Sequence, residues 1–237
     1  MECYGYTGNF LRVDLTSGSI STEKPDESYY RNYLGGRGII VHTLLTEVPA
    51  KADPLGPDNK VVFAAGLLTG NKIIGSGRCS VGAKSPLTGG FGESEAGGMW
   101  GMELRRADYD AVIIEGVSPK PVYLWIHDGE IEIRDAANLW GLNVHEAQRA
   151  IRNELGDEDV KCAVIGPAGE NLVRYACLIA DFNNAAGRCG MGAVFGSKNL
   201  RAVAVRGEGQ VSFADPEGLK ALARGAGERL KTDTGVP

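Results

Sequence analysis

Three glycine-rich segments of the sequence carry the side chains that could do chemistry. In residues 75–80 (GSGRCS), Arg78 stands beside glycines, where its guanidinium could bind a phosphate or a fused heterocycle through two hydrogen bonds. In residues 89–98 (GGFGESEAGG), Glu95 could ligate Mg²⁺, which takes carboxylate, carbonyl and phosphate oxygens together. Residues 183–192 (NNAAGRCGMG) offer Arg188 behind a pair of asparagines. Together the segments predict a site where Mg²⁺ bridges two phosphates.

Each of these segments also has a plainer interpretation. Arg78 could be an ordinary loop arginine, and Glu93 and Glu95 could be solvated carboxylates in a turn. A glycine-rich pattern taken singly is a weak signal. The case for a site depends on the fact that the segments occupy equivalent places in two halves of the chain.

The same order of motifs occurs twice. Each copy has a hairpin, a strand ending in glycine, a further strand-like run, a glycine-rich turn predicted to open a helix with free backbone N–H groups, and a last strand. The copies are, in this order, 10–23, 59–70, 77–84, 98–101 and 111–116, and then 122–134, 159–170, 172–181, 190–193 and 202–207. This repeat predicts an internally duplicated, β-rich α+β domain with halves at about 5–116 and 120–207 and a pseudo-twofold cofactor-binding face.

Helix signals complete the predicted organisation. They indicate helices over 26–34 and over 144–155, the second with Asn143 as N-cap and Gly156 as its end. We predict that residues 1–210 form one domain. Asp215-Pro216-Glu217 is typical of a helix start, and residues 211–237 are expected to begin a second, helical domain that continues beyond this chain.

Composition excludes several classes of protein. The 237 residues carry a net charge of −5 with no basic stripe, so nucleic acid is not an expected partner. No apolar run approaches the roughly 18 residues that a membrane span needs, and a soluble cytoplasmic protein is expected. The five cysteines form no C-x-x-C pair and predict no zinc or iron–sulfur ligand set. No Walker A, G-x-S-x-G or H-E-x-x-H motif is present, and the three histidines suggest no triad.

Several ordered blocks closely resemble the N-terminal domain of the aldehyde:ferredoxin oxidoreductase family, from about Gly5 to Gly207. The blocks that carry the resemblance are 5–8 (GYTG), 11–15 (LRVDL), 33–38 (YLGGRG), 65–70 (AGLLTG), 84–89 (KSPLTG), 109–111 (YDA), 165–171 (IGPAGEN) and 185–188 (AAGR). The resemblance implies tungsten, or molybdenum, held by two pterins without a direct protein ligand. It also implies Mg²⁺ between the pterin phosphates.

The resemblance also implies roles for individual residues of this chain. Arg78 would lie between a pterin and a [4Fe–4S] cluster, Gly97 and Gly187 would meet pterin phosphates, and Arg188 would pair with phosphate. The Ala185 carbonyl and the Glu95 carboxylate would ligate Mg²⁺. Two positions depart from the pattern, because Glu95 stands where family members can carry asparagine and Asn184 where an arginine can precede Ala185. Both changes make the predicted site more negative.

The activity implied by the resemblance is the oxidation of aldehydes to carboxylic acids, with electrons passed through the cluster to ferredoxin. The cluster ligands and the acid/base residues would lie in downstream domains, so no catalytic residue is expected here and the isolated chain should be inactive. Two alternatives remain. One is a related reductase of aromatic acyl-CoA or carboxylates, and the other a non-catalytic module that binds a phosphorylated pterin. A purely structural use of the glycine-rich turns, and the oligomeric state, a homodimer included, also remain open.

Overall fold

The computed structural model describes residues 4–71, 73–127, 129–232 and 235. The first half contains six strands and three helices: β1 (Phe10–Asp14), β2 (Ser19–Glu23), α1 (Glu27–Tyr33), α2 (Arg37–Glu47), β3 (Val61–Ala65), β4 (Cys79–Lys84), β5 (Phe91–Ala96), α3 (Trp100–Arg106) and β6 (Ala111–Glu115). The second half follows with β7 (Val122–His127), β8 (Glu130–Asp135), a 3-10 turn (Ala137–Leu139), α4 (Val144–Leu155), β9 (Lys161–Val164), α5 (Pro167–Glu170), β10 (Leu178–Ala180), β11 (Asn184–Ala186), α6 (Met191–Ser197) and β12 (Leu200–Arg206). Helix α7 (Pro216–Thr232) comes last.

The two halves form two six-stranded mixed sheets of the same topology. The first has the order β2-β1-β6-β3-β4-β5 and the second the order β8-β7-β12-β9-β10-β11. In each sheet the second and third strands of this order, β1 with β6 or β7 with β12, are parallel, and every other neighbouring pair is antiparallel. The α+β class is therefore confirmed.

Three apolar clusters arrange the elements in layers. Residues of α1 and α2 cover one face of the first sheet, and residues of α4 cover the far face of the second. Between the facing sheets lies the largest cluster, to which the short helices α3 and α6 contribute. The alternation of side chains along each strand sends its neighbouring residues into different layers. Burial of both faces explains why inner strands such as β3 and β6 are almost wholly apolar, whereas the edge strands β2, β5 and β8 carry polar residues.

Each short helix between the sheets packs against the other half of the chain. Helix α3 contacts β12 and β9, and α6 contacts β3, β4 and β5. Trp100 of α3 is almost fully buried, and its indole N–H donates to the carbonyl oxygen of Val203 in β12 over 2.9 Å. Phe63 in β3 contacts both Trp100 and Phe195 of α6. The halves therefore share one core.

Most of the expected local structure is present. The hairpin β1–β2 and helix α4 match the sequence, and Asn143 and Glu146 form a complete capping box at the start of α4. Helix α2 was not predicted from the sequence. In α7 no described residue is buried. The domain boundary near residue 210 stays a prediction.

Some features of the sequence analysis fall on residues outside the described part of the chain. These are Cys3, the hairpin turn residue Asp128, and the C-terminal residues Thr234, Val236 and Pro237. Among the described residues, no helix combines the length and apolarity needed to cross a membrane.

Candidate functional site

An open cleft lies where the two sheets meet, beside the adjacent edge strands β5 and β11. Its volume is about 570 Å³. It is lined by residues of both halves: Arg37, Arg78, Glu93, Ser94, Glu95, Ala185, Gly187 and Arg188. We call it the arginine cleft. Five of the seven site residues predicted from the sequence line it, namely Arg78, Glu95, Ala185, Gly187 and Arg188.

Arg78 is held at the cleft through its backbone. The buried hydroxyl of Thr69 donates to the Arg78 carbonyl oxygen over 2.9 Å and accepts from the Gly66 N–H over 3.0 Å. The next residue, Cys79, begins β4 and is buried, and burial raises the pKa of its thiol to about 12. The thiol is therefore a packing group rather than a reactive one, and the exposed side chain of Arg78 remains for binding.

The two glutamates of the cleft lie on one face of β5, because residues two apart on a strand point to the same side. Glu95 is 42% exposed, as expected of a solvated carboxylate, whereas the Glu93 side chain is only 7% exposed. Arg37 donates to Glu93 Oε2 from Nε (3.1 Å) and Nη2 (2.8 Å). Glu93 Oε1 is buried and has no hydrogen-bond partner among the described residues.

The loop after β11 is tied to the first half by backbone groups. The Arg188 N–H donates to Ser94 Oγ over 3.1 Å, and Ser85 Oγ donates to the Cys189 carbonyl oxygen over 2.8 Å. The Cys189 thiol points to the Glu93 carbonyl oxygen at 3.7 Å. These contacts fix the backbone of Gly187 and Arg188 while the Arg188 side chain stays exposed. A ligand in the cleft would thus meet a fixed backbone that carries the exposed side chains of Arg78 and Arg188.

The other two predicted residues, Gly97 and Asn184, lie beside the cleft and do not line it. They are neighbours, since a Cβ atom on Gly97 would stand 3.2 Å from Asn184 Oδ1. The amide N–H of Asn184 donates to Asn183 Oδ1 over 3.0 Å. Gly97 directly follows β5 and Asn184 begins β11, so the ends of the two edge strands come close together here.

The predicted helix starts at 98–101 and 190–193 are confirmed, since α3 begins at Trp100 and α6 at Met191. The glycine-rich residues before them form the edge strands β5 and β11. The expectation of free backbone N–H groups at these helix starts needs a correction. The N-terminus of α3 is not free, because Asp181 Oδ2 accepts from the N–H groups of Met99 and Trp100. At α6, the Gly192 N–H donates to the Ala176 carbonyl over 3.0 Å. Anion binding at the cleft must therefore depend on side chains rather than on helix ends.

Two functional features were missed by the sequence analysis. Arg37 lies in a glycine-flanked setting, Gly35-Gly36-Arg37-Gly38, which is the same signal that singled out Arg78. Asp181 had no such signal, since its partners lie 82 and 81 residues away. With Arg37, Arg78, Glu93 and Glu95, the part of the cleft that comes from the first half carries both positive and negative side chains.

Charge in the arginine cleft favours an anionic ligand. Three arginines, Arg37, Arg78 and Arg188, face two glutamates, which leaves an excess of positive charge. The hydrogen bond from Arg37 to Glu93 raises the pKa of Arg37, so this guanidinium stays charged. The described residues contain no group of three or more His, Cys, Asp and Glu side chains that could hold a metal ion. The magnesium ligands Glu95 and Ala185 therefore stay a prediction.

Comparison with known proteins assigns the family. The model of the aldehyde ferredoxin oxidoreductase N-terminal domain matches residues 10–207, which include both sheets and every residue that lines the arginine cleft. The chain belongs to the aldehyde ferredoxin oxidoreductase family. The resemblance inferred from the ordered blocks is thereby confirmed.

Similar members of the aldehyde ferredoxin oxidoreductase family are longer than this chain. The tungsten-containing aldehyde ferredoxin oxidoreductase of Pyrococcus furiosus is 47% identical over 97% of the chain, which spans 38% of that protein. The WOR-like subunit of an aliphatic sulfonate oxidoreductase of the same organism is 36% identical over 93% of the chain. Among solved structures, the active-site complex BamBC of benzoyl coenzyme A reductase with 1,5-dienoyl-CoA matches 99% of the chain and 36% of its own, with 40% identity and a TM-score of 0.95.

Proposed function

We propose that this chain is the N-terminal cofactor-binding domain of a tungsten bis-pterin oxidoreductase that oxidises aldehydes to carboxylic acids and passes electrons to ferredoxin. The observation that carries the proposal is the arginine cleft, where Arg78, Glu95, Ala185, Gly187 and Arg188 come together from distant parts of the sequence. The names of several similar proteins, which describe tungsten-containing aldehyde ferredoxin oxidoreductases, support the choice of metal and substrate. The repeated strand order supports an internal duplication with a pseudo-twofold cofactor face.

The residues of the cleft fit a phosphorylated cofactor with a bound cation. Guanidinium groups bind phosphate oxygens bidentately, and Arg78 and Arg188 are exposed for this purpose. Glu93 Oε1 is a buried acceptor with no partner in the described part of the chain, which is costly unless a donor or a cation from a ligand binds to it. At Gly187 the nearest atom to an added Cβ would be 3.7 Å away, so this rim offers the room that a ligand needs.

In this proposal the cofactor supplies the two-electron redox chemistry when it is bound, and the chain positions it. Arg78 and Arg188 hold phosphate or pterin groups from the two halves. Gly97 and Gly187 allow close approach of a phosphate, and Asn184 stands beside Gly97. Glu95 and the Ala185 carbonyl ligate Mg²⁺, whose charge offsets the phosphates. Iron–sulfur ligands and acid/base residues belong to other domains of the same polypeptide.

The test is cofactor content in the complete polypeptide. We expect the substitution Arg188→Ala to lower the tungsten and pterin bound per polypeptide, measured by elemental analysis and by pterin fluorescence after release. Arg31→Ala is the matched control, since Arg31 is 79% exposed and pairs with Glu27 within α1. Unchanged tungsten and pterin contents in Arg188→Ala would contradict the proposal and leave a structural use of the glycine-rich loops.

A second candidate is a reductase of an aromatic acyl-CoA. The high similarity to the benzoyl coenzyme A reductase structure favours it. Both activities need the same cofactor-binding domain, so this domain does not distinguish them. Assay of the complete polypeptide with a viologen dye decides, because aldehyde-dependent dye reduction supports the oxidoreductase and electron transfer to benzoyl-CoA the reductase. Cofactor binding without turnover of either substrate would favour the non-catalytic binding module.

A further inference from the structure

Arg37 is the one arginine of the cleft to which neither the repeat nor the family resemblance gave a role. It is the first residue of α2, and the glycines around it leave no room for side chains. A Cβ on Gly35 would stand 2.8 Å from the Ala65 carbonyl oxygen, and one on Gly38 would overlap the Tyr33 carbonyl. Gly36 has φ = +52°, a conformation that favours glycine. The backbone thus holds Arg37 at one fixed place on the rim.

The guanidinium of Arg37 is oriented by a buried carboxylate. Nε and Nη2 both donate to Glu93 Oε2, while Glu95 Oε1 is 4.0 Å from Nη2. Nη1 makes no hydrogen bond to any described residue, and the Arg37 side chain is 63% exposed. Since the Glu93 side chain is 93% buried, it cannot follow Arg37 into solvent, and the pair fixes the direction of the guanidinium. The arginine therefore presents unused N–H donors at the cleft.

We propose that Arg37, oriented by Glu93, is a third arginine that binds a phosphate group of the ligand in the arginine cleft. This inference rests on the proposed function, because it assumes that the cleft takes a phosphorylated ligand. The alternative is a surface ion pair of structural value only, which would contribute little to stability because Arg37 is exposed. The second carboxylate oxygen of Glu93 is buried and has no hydrogen-bond partner among the described residues, which a purely structural ion pair would not require.

Glu93 could affect anion binding in two ways, through its charge alone or by orienting Arg37, and these predict opposite effects of Glu93→Gln on the anion affinity. If Glu93 acted only through its charge, Glu93→Gln would strengthen anion binding, because it removes a negative charge from the cleft. If Glu93 orients Arg37, the same substitution weakens binding, because the guanidinium loses its charged partner. The variant that combines Arg37→Ala with Glu93→Gln should then bind the anion no more weakly than Arg37→Ala alone, because both substitutions remove the same oriented guanidinium.

The experiment is calorimetric titration of the complete polypeptide, prepared without cofactor, with magnesium pyrophosphate. We expect about tenfold to hundredfold weaker binding for Arg37→Ala, the size usual for a hydrogen bond to a charged group, and a smaller loss for Glu93→Gln. Arg37→Lys keeps the positive charge but loses the planar guanidinium that can donate two parallel hydrogen bonds, and it should recover part of the affinity. Arg31→Ala should bind as the unaltered protein does, and circular dichroism checks that each variant is folded.

The outcomes separate this inference from the proposed function. If Arg188→Ala weakens pyrophosphate binding and Arg37→Ala does not, Arg37 is a structural residue and the inference fails while the proposed function stands. Tighter binding in Glu93→Gln would also overturn the inference. If neither Arg188→Ala nor Arg37→Ala changes the affinity, the anion site itself fails, and the proposed function fails with it.

Discussion

Asp181 joins the two halves at a point where its charge opposes burial, and this sets up a sharp prediction. It follows β10 in the second half, and its Oδ2 accepts from Met99 and Trp100 at the start of α3 in the first half. The other oxygen, Oδ1, is buried without a partner among the described residues. We compare Asp181→Ala, which removes the acceptor, with Asp181→Asn, which keeps an acceptor and loses the charge.

The two substitutions should lower the free energy of unfolding by different amounts. Met99 is exposed, so a water molecule can accept from its N–H after the substitution, whereas Trp100 is buried and its N–H would be left unpaired. An unpaired buried donor costs about 1–3 kcal/mol, and removing the unpaired Oδ1 recovers part of that. We therefore expect Asp181→Ala to lower the free energy of unfolding by about 2 kcal/mol. For Asp181→Asn we expect a change within about 1 kcal/mol near neutral pH.

The comparison also depends on pH. Burial raises the pKa of Asp181 above its usual value, against the two backbone hydrogen bonds that lower it. A carboxyl whose pKa is raised by folding contributes stability below its unfolded pKa, and this contribution is lost as the pH rises through the folded pKa. Asparagine does not titrate. The stability of Asp181→Asn relative to the unaltered chain should therefore increase as the pH rises above about 4, the usual pKa of an aspartate.

Urea unfolding of the chain at several pH values measures these differences, with the fluorescence of its three tryptophans as the signal. Asp58→Asn is the control, because Asp58 is exposed. If Asp181→Asn is destabilised as much as Asp181→Ala, and increasingly so at higher pH, the carboxylate charge stabilises the contact and our account of Asp181 is wrong.

Three further substitutions test the packing and the surface charge by the same unfolding assay. Trp100→Phe leaves the Val203 carbonyl without its indole donor and should cost about 2 kcal/mol, and no loss would contradict a shared core. Gly98→Ala should cost about 1–3 kcal/mol, because Gly98 has φ = +85° and its Cβ would stand 2.5 Å from Asp181 Oδ2; a neutral result would mean that this turn can relax. Glu47 has its pKa lowered to about 2, chiefly by the hydrogen bonds from Arg12, so Glu47→Gln should lose about 1 kcal/mol at neutral pH. That loss should disappear as the pH falls from above 4.5 through about 2, and a loss independent of pH would exclude the ion pair as its cause.

Local signals in the sequence predicted the local structure well. Helix α4 has a capping asparagine, an apolar face and a terminal glycine within 14 residues, so its bounds could be predicted without knowing what it packs against. The pairing of the two halves was also within reach, because the repeat placed Glu95 and Arg188 in corresponding segments. Five predicted residues therefore line one cleft.

Long-range contacts explain what the sequence analysis got wrong. The segment 91–96 is rich in glycine and acids, which disfavour a strand, yet it pairs along β4 over its whole length. A glycine there fits because β4 and the loop of Cys189 press on it, with the Cys189 Cβ 2.9 Å from a Cβ on Gly92. Nothing near Asp181 in sequence indicates that it caps α3. Such partners become visible only when the chain is folded.

The exchange of the short helices between the two halves limits how the molecule can be divided. Helix α3 belongs to the first half in sequence but covers β9 and β12, and α6 belongs to the second but covers strands of the first. Each short helix also contacts a strand of its own half, α3 with β3 and α6 with β12, so a polypeptide containing only one half would expose the sheet face and the helix surface that the other half covers. Two such polypeptides would have to associate before either had a complete interior, so cutting the chain between the halves would make its folding depend on protein concentration.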